Sequence, residues 1–350
     1  MRYHSYCMYI TLFFLLCGLA PARSSADAQT AKELFDEAGR LAEKGNMEQA
    51  QPLFDKAIQL DPSMAGLANF RLGTAFAQQQ NFTEAVKYYE KALESKKNEP
   101  IIYMNMANAY LALHRPDRAV DCYKRITELD PKAVWAYHNL GSLYLQMKAY
   151  PSAVEAFNKV IEIDANTFRT VYEQIGYAYQ MMRNFDQAIL AYQKAIKVNP
   201  KSFAAHYNLG KCYFDLREAD NAIKSYTTAI ELDPKSAEAI TNLGHAYYYK
   251  YTISFARSDL DLASAAFNRA LMMKKDLGQA LFGLSLVNRE RGEYQTALDL
   301  AERAKQSGLK VSSKYIENLQ ARIEKKPLAD DPAAKPAIPP DTKEDTTGKS

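Results

Sequence analysis

The sequence predicts an all-α solenoid in which one helix pair is repeated along the chain, and three regular spacings support this prediction. A small residue recurs with a nearly constant step, at Gly73, Ala107, Gly141, Gly176, Gly210 and Gly244. An aromatic residue follows each of them three positions later, at Phe76, Tyr110, Tyr144, Tyr179, Tyr213 and Tyr247. An alanine and a second ring follow the first five small residues at 12 and 16 positions. A single globular core has no reason to keep such a period, whereas stacked helix pairs do.

Composition and charge limit the class of protein. The chain has 350 residues, of which 47% are apolar and 24% charged, as in ordinary globular proteins. The net charge of +3 is too small, and too evenly spread, to favour a nucleic-acid partner.

The segment 1–28 has the pattern of a secretory signal peptide. Arg2 precedes an apolar run from Met8 to Ala20, followed by small and polar residues. A run of about 13 residues is short for a membrane span, which needs about 20. We therefore expect a periplasmic or secreted protein of a bacterial envelope, without an integral membrane span once the leader is removed.

The cleavage point has two candidates. Cleavage after Ala28 would follow the A-x-A pattern of residues 26–28, and cleavage after Ala22 would follow that of residues 20–22. An uncleaved anchor is the alternative. Lipidation of Cys17 is disfavoured because Leu16, rather than a small residue, precedes it.

Beyond the leader, the two remaining cysteines are predicted to be free. Cys122 and Cys212 lie in repeats that are not neighbours, whereas a disulfide requires Cα atoms within about 7 Å.

One repeat shows how the helix pair is built. In residues 203–236, Gly210 lets the two helices approach, and Tyr226 fills the space that small residues leave. Pro234 ends the second helix, because proline cannot continue one. This order of small residue, ring, alanine, ring and closing proline resembles the tetratricopeptide repeat, and the resemblance covers residues 31–311.

The resemblance implies a right-handed superhelical solenoid of about eight helix-turn-helix units. The predicted units are 31–64, 66–99, 100–133, 134–167, 169–202, 203–236, 237–277 and 278–311. Residues 312–326 read as an amphipathic capping helix with Ile316, Leu319 and Ile323 inward. Residues 327–350 are rich in proline and predict a disordered tail.

The seventh unit contains an insertion. The step from Gly244 to Ala263 is 19, whereas the corresponding step in the other units is 12. Insertions in solenoids map to loops on one edge, which makes this aromatic segment a candidate docking insertion, with Tyr249, Tyr251 and Phe255 as its candidate residues. The alternative is a two-turn extension of the helices without a binding role.

Catalytic and metal-binding patterns are lacking. The sequence contains no Gly-rich phosphate loop, H-E-x-x-H, CxxC or G-x-S-x-G motif. The histidines after the leader lie in different repeats, too far apart to converge on one zinc ion: His114, His138, His206 and His245. We therefore predict no catalytic residues, no metal site and no cofactor.

Binding is better supported, by residues that we call the amide ladder. The resemblance implies that positions two, five, six, nine, twelve and thirteen of each unit face a concave groove. At position six stand the amides of Asn105, Asn139, Gln174, Asn208 and Asn242. A primary amide can pair with both the N–H and the C=O of a peptide bond, whatever the side chain. This pattern is similar to the asparagine ladder in the repeat domain of O-linked N-acetylglucosamine transferases, whose catalytic half has no counterpart here.

Aromatic and polar residues are predicted to surround the ladder at the other groove positions. They are Trp135, His138, Tyr177, Tyr207, Lys211 and His245. Aromatic side chains supply much binding energy at low entropic cost.

The functional prediction is a non-catalytic interaction scaffold of the cell envelope. It would hold an extended segment of a protein partner, such as envelope or secretion machinery, in its groove. The first alternative is a glycan-handling solenoid of polysaccharide export, in which the groove rings stack on sugars. The second is a catalytic or cofactor-binding protein, which turnover or a stoichiometric metal would reveal.

Overall fold

The fold is all-α, as the sequence predicts. A computed structural model describes residues 25–164 and 170–325, and in these ranges the chain forms seventeen α-helices, one short 3-10 helix and no strand. The predicted leader up to residue 24 and the tail 327–350 lie outside the described residues. The helices are α1 Ser25–Glu43, α2 Met47–Leu60, α3 Ala65–Gln78, α4 Phe82–Ser95, α5 Pro100–Ala112, α6 Pro116–Leu129, α7 Val134–Gln146, α8 Tyr150–Asp164, α9 Val171–Met181, α10 Phe185–Val198, α11 Phe203–Asp215, α12 Ala219–Leu232, α13 Ala237–Ser254, α14 Arg257–Met273, α15 Gly278–Glu290, α16 Tyr294–Gln306 and α17 Ser313–Ile323.

Two compact units divide the chain, at Met1–Leu143 and Tyr144–Ser350. In the first, α1 packs on α2, α3 on α4, and α5 on α6; in the second, the same pairing joins α9 to α10, α11 to α12, α13 to α14, and α15 to α16. The first helices of successive pairs also contact each other, as α3 contacts α5 and α11 contacts α13. The helix pair is therefore the building block of both units.

The turn between the two helices of a pair contains a residue in the left-handed conformation. These residues have φ values of 61°, 55°, 59°, 58° and 67° and recur with the period of the chain: Gln80, His114, Lys148, Arg183 and Arg217. The N–H of the next residue reaches back to the carbonyl of the recurring aromatic, as from Arg115 to Tyr110 at 2.9 Å. This bond satisfies a carbonyl that the end of the first helix would leave unpaired.

Glycine lets the two helices of a pair approach. A methyl group at Gly210 would lie 2.7 Å from the ring of Tyr226, and one at Gly176 would lie 2.7 Å from that of Tyr192. Both rings are fully buried, so they have little room to move aside. The recurring glycine therefore packs directly against the ring that follows it 16 positions later.

The insertion of the seventh repeat lengthens both of its helices, as in the alternative of a helix extension, and does not form a loop. α13 has 18 residues against 13 in α11, and α14 has 17 against 14 in α12. Only Phe255 and Ala256 connect α13 to α14. Because seven residues make about two helical turns, they extend the pair without changing which faces are apolar.

The last helix, α17, packs on α16 and covers the end of the second unit. Tyr315 and Leu319 are buried, whereas Ile323, predicted to face inward, is exposed. Ser285 donates to the carbonyl of Ala297 at 2.6 Å, so Tyr315, 2.9 Å away, donates its own proton to the Ser285 hydroxyl. These bonds satisfy the buried hydroxyls at this end.

Candidate binding face

The first helix of each pair in the first unit presents polar and apolar side chains along one face. In α5, Ile101, Asn105 and Asn108 stand at i, i+4 and i+7 and share that face. Ile101 is 46% exposed, Asn108 is exposed and Asn105 is half-buried. A partner lying along this face would reach the Asn105 amide.

α7 carries three of the predicted site residues. Trp135 is 37% exposed, while His138 and Asn139 are half-buried. Burial raises the pKa of Tyr123, and a hydrogen bond from Asn139 to its hydroxyl acts in the opposite direction. Part of the donor capacity of Asn139 is therefore used within the fold.

In the second unit, two predicted site residues, Lys211 and Asn242, lie next to a third, Tyr207. Asn242 donates from Nδ2 to the Tyr207 hydroxyl at 3.0 Å, and Lys211 Nζ lies 5.8 Å from the centre of its ring. The ring stacks on Phe203 with centroids 5.6 Å apart. Burial and then the charge of Glu238 raise the pKa of Tyr207. The phenol thus stays protonated near neutral pH and positions the Asn242 amide.

The remaining ladder residues of the second unit differ in their surroundings. Gln174 and Asn208 are half-buried, and Tyr177 is 39% exposed on the same helix as Gln174. Asn208 makes no side-chain hydrogen bond to another described residue, and the same holds for Asn105 of the first unit. These two amides are the ladder members best able to bond a partner.

His245 is buried, and its prediction as a groove residue is wrong. Its ring is 6% exposed and lies 4.9 Å from the Phe267 ring, edge to face. Phe267 contacts both Gly244 and Gly283, and these small residues allow α13 and α15 to close over the histidine. Burial lowers the pKa of His245 to about 4. The imidazole is therefore neutral and serves as packing.

The insertion residues are partly integrated into the fold. Tyr249 packs on Phe214, and Tyr251 packs on Tyr248, so both rings are half-buried. Phe255 is 76% exposed at the turn, with φ of 54°. Of the three residues in the candidate docking insertion, Phe255 alone is largely open to solvent.

A cleft of about 440 Å³ lies between the extended part of α13 and the start of α12. Lys250 Nζ forms an ion pair at 2.8 Å with Asp220 on the first turn of α12. The same cleft is lined by Arg217 and Ile253. The ion pair ties the extended part of α13 to the preceding helix pair.

Sequence reasoning missed two exposed residues on the face of the first unit. Leu67 and Ile101 stand at the second position of their repeats, as Trp135 does in the next repeat, and both are exposed. We call Leu67, Ile101 and Trp135 the apolar stripe. Their common position within the repeat is a signal that could have revealed them.

Reactive chemistry is limited in the described residues. Within ranges 25–164 and 170–325, no group of three histidine, cysteine, aspartate or glutamate side chains could hold a metal ion. Cys122 and Cys212 are buried and free, as predicted, and burial raises the pKa of each thiol to about 12. Thiols with such pKa values are poor nucleophiles.

None of the described helices is both long and apolar enough to cross a bilayer.

The repeat motif is matched along most of the array. A tetratricopeptide repeat model matches residues 35–100, 174–237 and 254–308, and a second such model matches residues 98–166. The chain belongs to the tetratricopeptide repeat family. Members of this family are in general non-enzymatic and bind protein or peptide partners on the extended surfaces of their stacked helices.

Several solved structures resemble parts of the chain. The C-terminal part of a repeat protein from Cytophaga hutchinsonii is 18% identical, with a TM-score of 0.56, over 71% of this chain and 99% of its own. That likeness supports the fold. MamA is 29% identical, with a TM-score of 0.46, over 51% of this chain and 92% of its own. YrrB, described as a TPR protein with an unusual peptide-binding site, is 25% identical, with a TM-score of 0.47, over 55% of this chain and 95% of its own. A search of curated proteins finds no match.

Proposed function

We propose that this tetratricopeptide repeat protein is a non-catalytic scaffold of the cell envelope that holds an extended segment of a protein partner. Each compact unit has its own binding face, formed by an amide without a side-chain bond to another described residue, Asn105 in the first and Asn208 in the second, and by the rings beside it. The observation that carries the proposal is the pair of half-buried amides, Asn105 and Asn208, which recur at position six without a side-chain bond inside the described fold. Asparagine in a helix interior costs about half a kcal/mol relative to alanine, so a binding role would offset this cost.

The test replaces the two amides together. Asn105→Ala with Asn208→Ala should weaken binding of a partner recovered from the envelope fraction by about tenfold or more. The melting temperature should stay equal or rise slightly, because alanine is the better helix former. Unchanged binding would contradict the proposal.

A matched control uses the other asparagines of the ladder. Asn139→Ala and Asn242→Ala remove donors to buried or partly buried tyrosine hydroxyls, so each should lower stability by about 1–3 kcal/mol. This contrast separates the binding amides from the structural ones.

The envelope location rests on the sequence of the segment 1–28. The test is to express the full chain in a bacterial host, fractionate the cells and sequence the mature N-terminus. A start at Gln29 or at Arg23 would support cleavage after Ala28 or Ala22. An intact N-terminus in the cytoplasmic fraction would contradict the proposed location.

A glycan-handling function is the second candidate, because Trp135 and Tyr177 expose aromatic surface of the kind that stacks on sugar rings. Titration with polysaccharides and with unstructured peptides, followed by Trp135 fluorescence, separates the two candidates. Saturable binding of polysaccharide alone would favour the second.

A further inference from the structure

The turn end of the seventh helix pair extends beyond the pairs on either side of it. α13 has 18 residues, whereas α11 and α15, which both contact α13, have 13 each. The extra residues lie at its end, since α13 runs to Ser254, ten residues after Gly244, and α11 ends five residues after the corresponding Gly210. Five residues lengthen a helix by about 7.5 Å. We call residues 251–257 the hairpin tip.

The hairpin tip exposes two large apolar side chains. Phe255 is 76% exposed and Ile253 is 61% exposed, well above the 37–46% of the apolar stripe. Behind them, Tyr251 lies edge to face with Phe255, with centroids 6.2 Å apart, and packs on Tyr248. Tyrosine has an apolar body and a polar hydroxyl, which suits a boundary between hydrocarbon and water. The tip therefore changes from apolar at its end to amphipathic at its base.

Polar groups of the hairpin tip are bonded within the hairpin itself. Two hydroxyls and two backbone N–H groups find acceptors there: Thr252 on the Tyr249 carbonyl at 2.7 Å, Ser254 on the Asp259 carboxylate at 2.9 Å, the N–H of Phe255 on the Tyr251 carbonyl at 2.7 Å, and the N–H of Ala256 on the Ser254 hydroxyl at 3.1 Å. A segment that leaves water for lipid must satisfy such groups internally. The tip meets this requirement at these four groups.

The charges that lack a partner around the hairpin tip are positive. In the segments 217–221 and 250–261, each of the four acidic side chains is bonded within the fold: Glu218 to Asn221, Asp220 to Lys250, Asp259 to Ser254 and Asp261 to Arg291. Two arginines have no acidic partner among the described residues. Arg257 is exposed on the first turn of α14, and Arg217 lies 5.0 Å from the centre of the Tyr249 ring.

The surface of an anionic bilayer fits these features together. Interfacial segments bury their apolar side chains about 5–10 Å deep, and the extension of about 7.5 Å beyond the neighbouring pairs is of this size. Arg217 stands at the turn of the preceding pair, lower than the tip, where lipid headgroups would lie. Anionic headgroups attract unpaired cations, and a long arginine side chain can reach them while its stem stays in apolar surroundings.

We propose that the hairpin tip inserts Phe255 and Ile253 into the surface of an anionic phospholipid bilayer, with Arg217 and Arg257 among the headgroups. This inference goes beyond the proposed function, because it concerns a different surface and does not depend on the amide ladder. It makes the candidate docking insertion a lipid-binding element.

The test follows a tryptophan placed at the hairpin tip of the full chain. Trp135→Phe removes the only native tryptophan, and Phe255→Trp then reports the tip alone. Leu190→Trp in the same background, at a residue 50% exposed on α10, is the matched control. The probe is vesicles of equal parts phosphatidylcholine and phosphatidylglycerol. The emission of Phe255→Trp should move to shorter wavelength, and brominated acyl chains should quench it about twofold more strongly than that of Leu190→Trp. The segment 1–28 is the same in both proteins, so the difference between them reports the tip.

Further substitutions in the Phe255→Trp protein separate the apolar and charged contributions. Ile253→Asp should raise the lipid concentration needed for half of the emission shift by about tenfold, because a charge replaces an apolar anchor. Arg257→Gln should raise it by about fivefold with anionic vesicles. Leu190→Asp should leave it unchanged.

Three outcomes would contradict the inference. The absence of an emission shift, or equal quenching of Phe255→Trp and Leu190→Trp, would overturn insertion of the tip. A shift that an envelope protein causes without lipid, when vesicles cause none, would replace the bilayer by a protein partner at the tip. An equal shift with vesicles of phosphatidylcholine alone, unaltered by Arg257→Gln, would overturn the preference for anionic lipid.

Discussion

At the scale of single residues, the contact between Gly210 and Tyr226 gives a direct test of the packing. Gly210→Leu would place a side chain where even a methyl group lies 2.7 Å from a fully buried ring. Overpacking of this kind costs about 3 kcal/mol, and the better helix propensity of leucine returns about 1 kcal/mol. We expect a net loss of about 2 kcal/mol, measured by urea denaturation. Ala204→Leu, at an exposed position on the same helix, should change stability little.

The buried His245 predicts a dependence of stability on pH. Its folded pKa is about 4, below the usual 6.5, so protonation favours the unfolded state. The contribution of His245 to the free energy of unfolding is complete above pH 6.5 and is lost as the pH drops toward 4. Between pH 7.5 and pH 5.5 the loss from this group should be about 1 kcal/mol. Urea denaturation at both pH values should show this loss of unfolding free energy, and the His245→Gln variant should not show it. If the variant loses the same free energy between the two pH values, other titrating groups are responsible.

At the scale of helices and turns, the left-handed residues that close each pair are a source of strain. Lys148 has φ of 59° and an exposed side chain, and its Cβ makes that conformation unfavourable by about 1 kcal/mol. Lys148→Gly should raise the free energy of unfolding by about 0.5–1 kcal/mol, because glycine adopts positive φ without this penalty. Lys148→Ala keeps the Cβ and serves as the control. An equal gain in both variants would point to the charge of the lysine instead.

The sequence predicts most of this architecture, because the determinants of a helix pair are local. Small residues, rings and helix stops recur at fixed spacing, and each acts within its own pair or on the next. The burial of His245 depends on two glycines, on different helices, that flank Phe267, and its position in the repeat does not encode that contact. The sequence left a loop and a helix extension open for the insertion, because two extra turns preserve the apolar pattern. The left-handed turn residues could not be predicted either, because they are not glycines and nothing in the composition marks their positions.

At the scale of the whole molecule, stability should be local. In a repeat array each pair is stabilised by its neighbours, so the free energy of unfolding is roughly a sum of pair and interface terms. Gly210→Leu should therefore speed amide exchange in α11, α12 and the adjoining α10 and α13, which contact them. Exchange in α3 and α4 should stay unchanged, since those helices belong to the other compact unit. Hydrogen exchange followed by mass spectrometry measures both regions in one sample.

The reciprocal substitution completes that experiment. Gly73→Leu places a side chain against Tyr89, where a methyl group would lie 2.7 Å from the ring, so the packing conflict is the same as at Gly210. It should speed exchange in α3 and α4 and leave α11 and α12 unchanged. If either substitution speeds exchange throughout the described residues, the chain unfolds as one cooperative body. The binding face of the first unit could then not be altered independently of the second, because any loss of packing would reach both.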